Sequence, residues 1–305
     1  MTGAGEGDTS FKCGFVAIVG QPNVGKSTLL NKLIGQKISI TSKRPQTTRN
    51  RVIGVKTDDR VQIIYIDTPG LHQHSGKILN KYINRAAINS LIGVDIILFM
   101  VTAKGWSGAD DKVLQKIETI GVPVILAINK IDKLAQPDML LPQIETANNK
   151  AVTFTQIIPV SASTGEGVDE LAKALTAMLP DQPLMYPADQ VTDRGNRFMA
   201  AELIREQVFR QIGEEVPYSV AVQLESFKRE GRMLRISAVI WVEKPGQKAI
   251  LIGKQGKRLK SLGTRAREEM EKLFSQKVFL SLWVKVRENW RDNERALNNL
   301  GFGNE

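Results

Sequence analysis

The feature that most constrains this chain is a glycine-rich loop at residues 20–27, which reads Gly-Gln-Pro-Asn-Val-Gly-Lys-Ser. It fits the pattern G-x-x-x-x-G-K-[ST], whose backbone N–H groups surround a phosphate. The continuous apolar run Phe15–Val19 precedes it and is typical of a buried parallel strand. Thr28–Ile34 follows it with apolar residues at helical spacing. Strand, loop and helix in this order predict an α/β domain that binds a nucleoside triphosphate.

The residue types in this loop suit phosphate chemistry. Glycines at positions 20 and 25 let the backbone approach an anion closely, because a side chain there would clash or block the backbone angles. Lys26 can reach the β- and γ-phosphates, and the Ser27 hydroxyl can hold Mg²⁺. The nucleotide contacts that we assign to this stretch are Gly20, Asn23, Val24, Gly25, Lys26, Ser27 and Thr28.

Residues 36–51 form a polar, basic, threonine-rich stretch without a sustained period, which predicts a long loop. In a nucleotide switch, such a loop places a hydroxyl on Mg²⁺ only when the γ-phosphate is present. Thr47 and Thr48 are both candidates for this hydroxyl, and we favour Thr48.

A second loop follows the apolar strand Val61–Asp67, which continues as Thr-Pro-Gly70. Asp67 can bind Mg²⁺ through water, and the Gly70 N–H can bond the γ-phosphate and release it after hydrolysis. We therefore assign Mg²⁺ to Ser27, Thr48 and Asp67, and the hydrolytic step to Lys26, Thr48 and Gly70.

Leu71 occupies the position where many switch proteins carry a glutamine that orients water. A leucine cannot polarise water, so we expect hydrolysis to be slow or to position its water by another group. His72 and His74 are the only histidines, but a pair without a cysteine cluster favours ordinary loop residues over a metal site.

The stretch Asn129-Lys-Ile-Asp132 follows an apolar strand and predicts recognition of guanine. The Asp132 carboxylate can accept hydrogen bonds from both N1–H and the amino group of guanine, a donor pair that adenine lacks. The Lys130 stem can lie over the base, while Asn129 can tie this loop to the phosphate loop. Ser161 and Ala162 follow the strand Ile157–Val160, and the Ala162 N–H is the candidate donor to the base O6.

Strands alternate with helices over the first half of the chain, which predicts a doubly wound sheet of the P-loop GTPase (Ras-like) type. One antiparallel strand is expected, because residues 52–57 and 61–67 flank a short turn. A smaller α+β domain follows. The predicted boundaries are a disordered N-terminus at 1–10, a GTP-binding domain at 11–180, a linker at 181–192, and a KH domain with a helical tail at 193–305.

The second half predicts an RNA-binding KH module. Strands are expected at Tyr218–Leu224, Arg235–Val242 and Val278–Val286, and Gly253-Lys-Gln-Gly256 lies between two helical stretches, which matches the type II KH order. Eight lysines or arginines and no acid lie between residues 244 and 267 of a chain whose net charge is +10, which favours a polyanion. We assign RNA contacts to Gly253, Lys254, Gln255, Gly256, Lys257, Arg258 and Lys260.

Two apolar features of this half allow alternatives. Phe198–Ile212 has apolar residues at helical spacing and could lie on a membrane surface, but a core-facing helix is favoured because Glu202 and Glu206 are expected to share its polar face. Trp290 could stack on a base, although packing on the KH sheet is favoured. The single cysteine, Cys13, excludes an intrachain disulfide, and no apolar run reaches membrane-spanning length.

Together these motifs resemble the Era family of bacterial GTPases. The matching stretches are residues 20–27, 46–49, 67–70, 129–132, 161–162, 217–220 and 284–286. The resemblance implies hydrolysis of GTP to GDP with Mg²⁺, binding of the KH domain near the 3′ end of 16S rRNA, and a role in maturing the small (30S) ribosomal subunit. It also implies peripheral association with the inner membrane. The single cysteine fits a reducing cytosolic compartment, so we expect a cytoplasmic protein, and we expect a monomer.

Two other functions stay open on the residues themselves. One is a GTPase that acts in tRNA modification or at the membrane surface, with the basic domain bound to acidic lipid. The other is an RNA-binding structural factor with a weakly active nucleotide site.

Overall fold

The computed structural model describes residues 11–45, 47–70, 77–213 and 216–302. The chain divides into two compact units. The first unit contains residues up to 36, 52–68 and 89–193, and the second contains 37–51, 69–88 and the residues from 194 onward. The predicted boundaries differ from this division in two ways. Residues 181–193 belong to the first unit, and the internal segments 37–51 and 69–88 belong with the C-terminal part of the chain.

The secondary structure of the described residues follows the predicted alternation. In chain order, the elements are β1 (Lys12–Gly20), α1 (Lys26–Ile34), β2 (Val52–Asp58), β3 (Val61–Asp67), α2 (Ile78–Asn89), β4 (Ile96–Thr102), α3 (Gly108–Glu118), β5 (Val124–Asn129), α4 (Leu141–Asn148), β6 (Gln156–Val160), α5 (Val168–Met178), α6 (Asn196–Gln211), β7 (Ala221–Glu230), β8 (Met233–Val242), α7 (Pro245–Ile252), α8 (Lys257–Phe274), β9 (Lys277–Val286) and α9 (Glu294–Asn299).

The first unit contains a six-stranded sheet in the order β2-β3-β1-β4-β5-β6. Only β2 runs antiparallel to its neighbour, so the predicted doubly wound sheet with one antiparallel strand is confirmed. Strands β1, β4 and β5 are buried almost throughout, as their continuous apolar runs require. The registers bring the carboxyl ends of the parallel strands to one edge, where such sheets bind ligands.

Residues 181–192, predicted as a linker, pack on the first unit. Asp181 forms an isolated β-bridge with Lys12. The Gln62 amide accepts hydrogen bonds from the N–H groups of Met185 and Tyr186, both at 2.9 Å, and donates to the Tyr186 carbonyl at 2.9 Å. Gln62 is fully buried, so these bonds satisfy its polar atoms and fix the segment in place.

The second unit contains the three-stranded sheet β7-β8-β9, in which β7 is antiparallel and β9 parallel to β8. One face of this sheet packs with α6, α7 and α8 in a continuous apolar core. The order α6-β7-β8-α7-α8-β9 confirms the type II KH arrangement. The predicted start of the first strand at Tyr218 is wrong, because residues 216–219 form a 3-10 turn and β7 begins at Ala221.

Helix α6 faces the core, as predicted, but its polar face was misassigned. Glu206 is fully buried instead of lying on an exposed face. The burial is possible because its carboxylate accepts hydrogen bonds from Lys37 at 2.6 Å and Arg210 at 2.9 Å. Within the described ranges, no helix has both the length and the apolar character needed to cross a membrane.

Candidate nucleotide and RNA sites

The phosphate loop depends on a close approach between two chain segments of the first unit. Gly25 has φ of 111°, and a Cβ at this position would lie 2.2 Å from Asn129 Nδ2. That amide donates to the Val24 carbonyl at 2.7 Å, so Asn129 ties the end of β5 to the phosphate loop. Helix α1 begins at Lys26, directly after the loop, and its amino end is a favourable position for an anion.

Lys26 is buried beneath its own loop. Its Nζ donates to the carbonyls of Gly20 and Gln21, both at 2.9 Å. Burial lowers the pKa of the Lys26 ammonium to about 8, while the nearby Asp67 carboxylate acts in the opposite direction. The ammonium therefore lies inside the loop with only carbonyl partners among the hydrogen bonds described, and a phosphate would favour its charged form.

The two predicted Mg²⁺ ligands of the first unit lie next to each other. Ser27 Oγ donates to Asp67 Oδ2 at 2.6 Å, and the Asp67 side chain is buried at the end of β3. A hydroxyl and a carboxylate are the hard oxygen ligands that Mg²⁺ prefers, so these residues fit the ion. Thr28 follows within the first turn of α1 and is partly buried.

Thr47, Thr48 and Gly70 belong to the second unit, so their roles at the nucleotide remain predictions. The Thr47 hydroxyl donates to the Arg44 carbonyl at 2.8 Å, and Thr47 is buried. Leu71, His72 and His74 lie outside the described residues. Elsewhere in the described ranges, no group of three histidine, cysteine or acidic side chains is arranged to hold a metal.

The predicted base-reading residues lie together at the ends of β5 and β6. Ser161 Oγ donates to Asp132 Oδ1 at 2.7 Å, and this hydrogen bond lowers the pKa of the Asp132 carboxyl below its usual value. Asp132 is exposed, so its carboxylate is accessible to a base. Lys130 has φ of 70°, and its ammonium donates to the carbonyl of Asn23. Asn23 is exposed.

The Ala162 N–H already has a partner. It donates to Asn129 Oδ1 at 2.9 Å instead of pointing freely toward a base. Asn129 therefore connects two loops at once, since its amide nitrogen donates to the phosphate loop and its oxygen accepts from Ala162. A contact from Ala162 to guanine requires this N–H to be shared or released.

Sequence reasoning missed the way segment 37–51 is held in the second unit. Arg49 is buried, and its guanidinium donates to the carbonyls of Val220, Pro217 and Tyr218 at 2.7, 3.1 and 3.1 Å. Burial, together with the neighbouring Arg205 guanidinium, lowers the pKa of Arg49 to about 9. The residue types alone carried no signal for this contact, because an arginine in a polar loop is usually solvated.

Helix α6 fastens the same segment at three more points. Arg205 donates to the Thr47 carbonyl. Glu206 accepts from the Thr41 N–H at 3.0 Å and forms an ion pair with Lys37 at 2.6 Å. These contacts are buried or half-buried, so segment 37–51 is integrated into the core region of the KH-containing unit.

Helix α2, which follows the Gly70 loop, packs within the second unit as well. Leu79 and Ile83 form a buried cluster with Trp290 and Leu297. Trp290 is fully buried, and its indole N–H donates to the Ser219 carbonyl at 3.2 Å. The preference for packing over base stacking is therefore confirmed for Trp290. Lys77 and Asp292 add an ion pair beside this cluster.

The G-x-x-G turn adopts a backbone that needs its glycines. Gly253 has φ of 70°, and a Cβ there would lie 2.7 Å from the Arg258 Cβ. Gly256 has φ of 73° and opens helix α8. The basic side chains of the turn and of the first turn of α8 are exposed, namely Lys254, Lys257, Arg258 and Lys260, and Gln255 between the glycines is exposed as well.

A groove runs beside this turn. It has a volume of about 370 Å³ and lies between α8 and strand β9. Lys260, Thr264 and Arg267 contribute polar atoms, while Leu280 and Leu282 form an apolar wall. A groove with glycines at one end, cations along one side and apolar side chains on the other suits a nucleic-acid strand.

The fold and these sites define a P-loop GTPase joined to a KH domain. Residues 15–130 match a family model described as "50S ribosome-binding GTPase", and residues 215–291 match a model described as "KH domain". The chain belongs to the GTPase Era family. It is 52% identical to GTPase Era of Marinobacter nauticus over 95% of each chain, and 53% identical to that of Coxiella burnetii over 95% of this chain and 98% of the relative.

Solved structures agree with this assignment. A crystal structure of Era in complex with MgGDPNP and nucleotides 1506–1542 of 16S ribosomal RNA is 42% identical, with a TM-score of 0.93, and the match covers 96% of this chain and 99% of that chain. A structure of Aquifex aeolicus Era bound to GDP and AlF4⁻ gives the same values. The chain is therefore a GTPase of this family, and the predicted fold class is confirmed.

Proposed function

We propose that the chain is a GTP-dependent switch that binds 16S rRNA near its 3′ end through the KH domain and assists biogenesis of the small ribosomal subunit. The ligands of the related Era crystal structure, MgGDPNP and a segment of 16S rRNA, support the nucleotide, the metal and the RNA. A monomer in the cytoplasm with peripheral membrane association remains a prediction.

One observation supports a link between nucleotide binding and RNA binding. The two segments expected to respond to the γ-phosphate both belong to the unit that contains the KH domain. Segment 37–51 includes Thr48 and is held by the buried side chains of Arg49, Arg205 and Glu206. Helix α2 follows the Gly70 loop and packs against Trp290. A rearrangement of either loop must therefore disturb contacts of the RNA-binding unit.

At the phosphates, the chain supplies one cation and two metal ligands. Lys26 exchanges the carbonyls of Gly20 and Gln21 for phosphate oxygens, which removes the penalty that burial imposes on its charge. Ser27 and Asp67 would hold Mg²⁺, and Thr48 completes the proposed set. Mg²⁺, when bound, neutralises charge that develops on the phosphates.

At the base, Asp132 provides selectivity. Its hydrogen bond from Ser161 keeps the carboxylate ionised, so it can accept from both donors of guanine. Asn129 holds the loop that contains Asp132 against the phosphate loop through its hydrogen bond to Val24. Lys130 contacts the phosphate loop as well, through its hydrogen bond to Asn23. An Asp132→Asn variant should prefer xanthosine nucleotides over GTP, and unchanged selectivity for GTP would contradict the assignment.

The switch itself is tested by measuring RNA affinity in both nucleotide states. A filter-binding assay with the 16S rRNA segment should give different dissociation constants for the forms bound to a non-hydrolysable GTP analogue and to GDP. Equal affinities in the two states would contradict coupling between the bound nucleotide and RNA binding. Loss of binding on Gly253→Asp together with Gly256→Asp would support the KH groove, while an unaffected affinity would place the RNA elsewhere.

A further inference from the structure

The KH sheet has a second face that does not contact its helices. Side chains alternate between the two faces along a strand. On β8, Leu234, Ile236, Ala238 and Ile240 point into the core that the sheet forms with α6, α7 and α8. Met233 and Arg235 on β8 point to the opposite face. The parallel register places Lys277 beside Met233 and Phe279 beside Arg235 on β9.

Helix α2 and the C-terminal tail cover one end of this second face. Trp241 packs beside the cluster formed by Trp290 and Leu297, and Gln223 Nε2 donates to the Asn299 carbonyl at 3.4 Å. The other end remains open to solvent. Phe279 is 50% exposed, Trp283 46% and Met233 40%. Three large apolar side chains therefore remain exposed on one face of the sheet, which makes this face a candidate interaction surface.

The charges around these side chains favour an anionic partner. Four cations lie on this face or at its ends, Lys228, Arg235, Lys277 and Lys285, against the acids Glu225, Glu230 and the adjacent Glu271, which lies 3.8 Å from the Lys277 ammonium. Glu225 pairs with Lys285 at 3.2 Å and Glu230 with Arg235 at 2.5 Å. The Arg235 guanidinium also lies 5.1 Å from the centre of the Phe279 ring.

Strand β9 connects this face to the RNA groove. It is an edge strand of the sheet, and its inward side chains Leu280 and Leu282 line the groove beside α8. Phe279 and Trp283 alternate with them and point to the opposite face. A polynucleotide that leaves the groove needs to pass only one strand to reach the two exposed rings.

We propose that the surface formed by Met233, Arg235, Phe279 and Trp283, here called the aromatic sheet face, stacks unpaired bases of single-stranded RNA. Phe279 and Trp283 lie four residues apart on one strand, or about 13 Å, so each ring takes a separate base. The surface is additional to the G-x-x-G groove. The inference rests on the proposed function only in that the chain binds RNA.

The test uses the full chain and two RNA probes, the 16S rRNA segment 1506–1542 and a short oligouridine. Each of Phe279→Ala and Trp283→Ala should weaken binding of the longer RNA by about tenfold, the effect of losing one base–aromatic stack. Because both side chains are about half exposed and lie outside the nucleotide site, the variants should stay folded and keep wild-type GTP hydrolysis, which separates RNA binding from loss of folding.

Matched substitutions separate stacking from other contacts. Trp283→Phe should restore most of the affinity, whereas Trp283→Leu, which keeps apolar area but no ring, should not. Lys277→Gln should reduce the slope of log affinity against log salt concentration by about 0.7, while the ring variants should leave this slope unchanged. A Trp283→Leu variant with wild-type RNA affinity would overturn the proposal and favour a protein partner on this face.

The groove variants keep this inference distinct from the proposed function. With Gly253→Asp and Gly256→Asp, oligouridine should still protect Trp283 from fluorescence quenching by acrylamide if the aromatic sheet face binds bases by itself. Loss of that protection overturns the second surface. If the wild-type chain binds neither RNA, the proposed function is contradicted. If RNA binding is lost with the Gly253→Asp and Gly256→Asp substitutions but is unaffected by Phe279→Ala and Trp283→Ala, only the inference about the aromatic sheet face is overturned.

Discussion

Replacing Arg49 tests how segment 37–51 is attached to the KH-containing unit. Its guanidinium serves three carbonyls, those of Pro217, Tyr218 and Val220, at 2.7–3.1 Å. A hydrogen bond from a charged donor contributes about 1.5–3 kcal/mol, so three contribute about 5–9 kcal/mol before the cost of burial is subtracted. Burying one charge costs several kcal/mol, so we expect Arg49→Met to lower the free energy of unfolding by about 2–4 kcal/mol.

Arg49→Lys distinguishes charge from geometry. A lysine keeps the positive charge but lacks the planar fork of donors with which the Arg49 guanidinium reaches three carbonyls. The buried ammonium would be poorly paired, so we expect a loss at least as large as that of Arg49→Met. Burial lowers the pKa of Arg49 to about 9 even with its three hydrogen bonds, so the site disfavours a positive charge.

Urea unfolding combined with hydrogen exchange measured by mass spectrometry provides the assay. In both Arg49 variants, amide hydrogen exchange should accelerate more in residues 37–51 and 216–220 than in the strands of the first unit. Arg44→Met is the matched control, because Arg44 lies in the same segment and makes one exposed hydrogen bond to the Gly213 carbonyl at 2.8 Å. Wild-type stability of Arg49→Lys would refute the geometric argument.

Three further perturbations follow from described contacts. Gly25→Ala should weaken GDP binding at least about tenfold, because its Cβ would lie 2.2 Å from Asn129 Nδ2 and its φ is 111°. The pKa of Lys26 is about 8 in the free chain, and phosphate contacts raise it. Above pH 8, GDP binding therefore takes up a proton, and GDP affinity should fall by up to about tenfold per pH unit. Trp290→Ala should lower the free energy of unfolding by about 3–5 kcal/mol, since it empties a fully buried site.

Each of these predictions has a matched comparison. Gly35→Ala also introduces a Cβ at a positive φ, but nothing lies within 4 Å, so GDP affinity should not change. Lys26→Arg should remove the pH dependence near pH 8, and a flat profile in the wild-type chain would contradict the titration argument. Trp283→Ala removes an indole that is 46% exposed and should lower the free energy of unfolding clearly less than Trp290→Ala does; an equal loss would contradict the packing argument.

The architecture of the nucleotide unit was predictable because its signals are local. The apolar runs of β1, β4 and β5 and the loops that follow them are contiguous in sequence, and parallel sheets bring such loops to one edge. The order of KH elements was predictable for the same reason. The Asn129 contact with the phosphate loop could also be anticipated, since both partners lie at the carboxyl ends of strands in the same parallel sheet.

Other features depend on pairs of residues that are distant in sequence. Glu206 looked like part of a solvated face, because nothing near it in sequence shows that Lys37 and the Thr41 N–H come to it. The bond from Ala162 to Asn129 uses a backbone donor, which has no residue-type signature. The packing of residues 181–192 depends on Gln62 and on backbone contacts with β1 and β2, and polar linker composition gave no reason to expect them.

The membership of segments 37–51 and 69–88 in the second unit has a consequence for dissecting this protein. The KH-containing unit is built from three separate stretches of chain, so no single cut yields it intact. A fragment that begins at residue 194 would leave Glu206 without Lys37 and Trp290 without Leu79 and Ile83. Such a fragment would expose an apolar cluster and a poorly paired carboxylate, and RNA affinities measured with it would describe a damaged module.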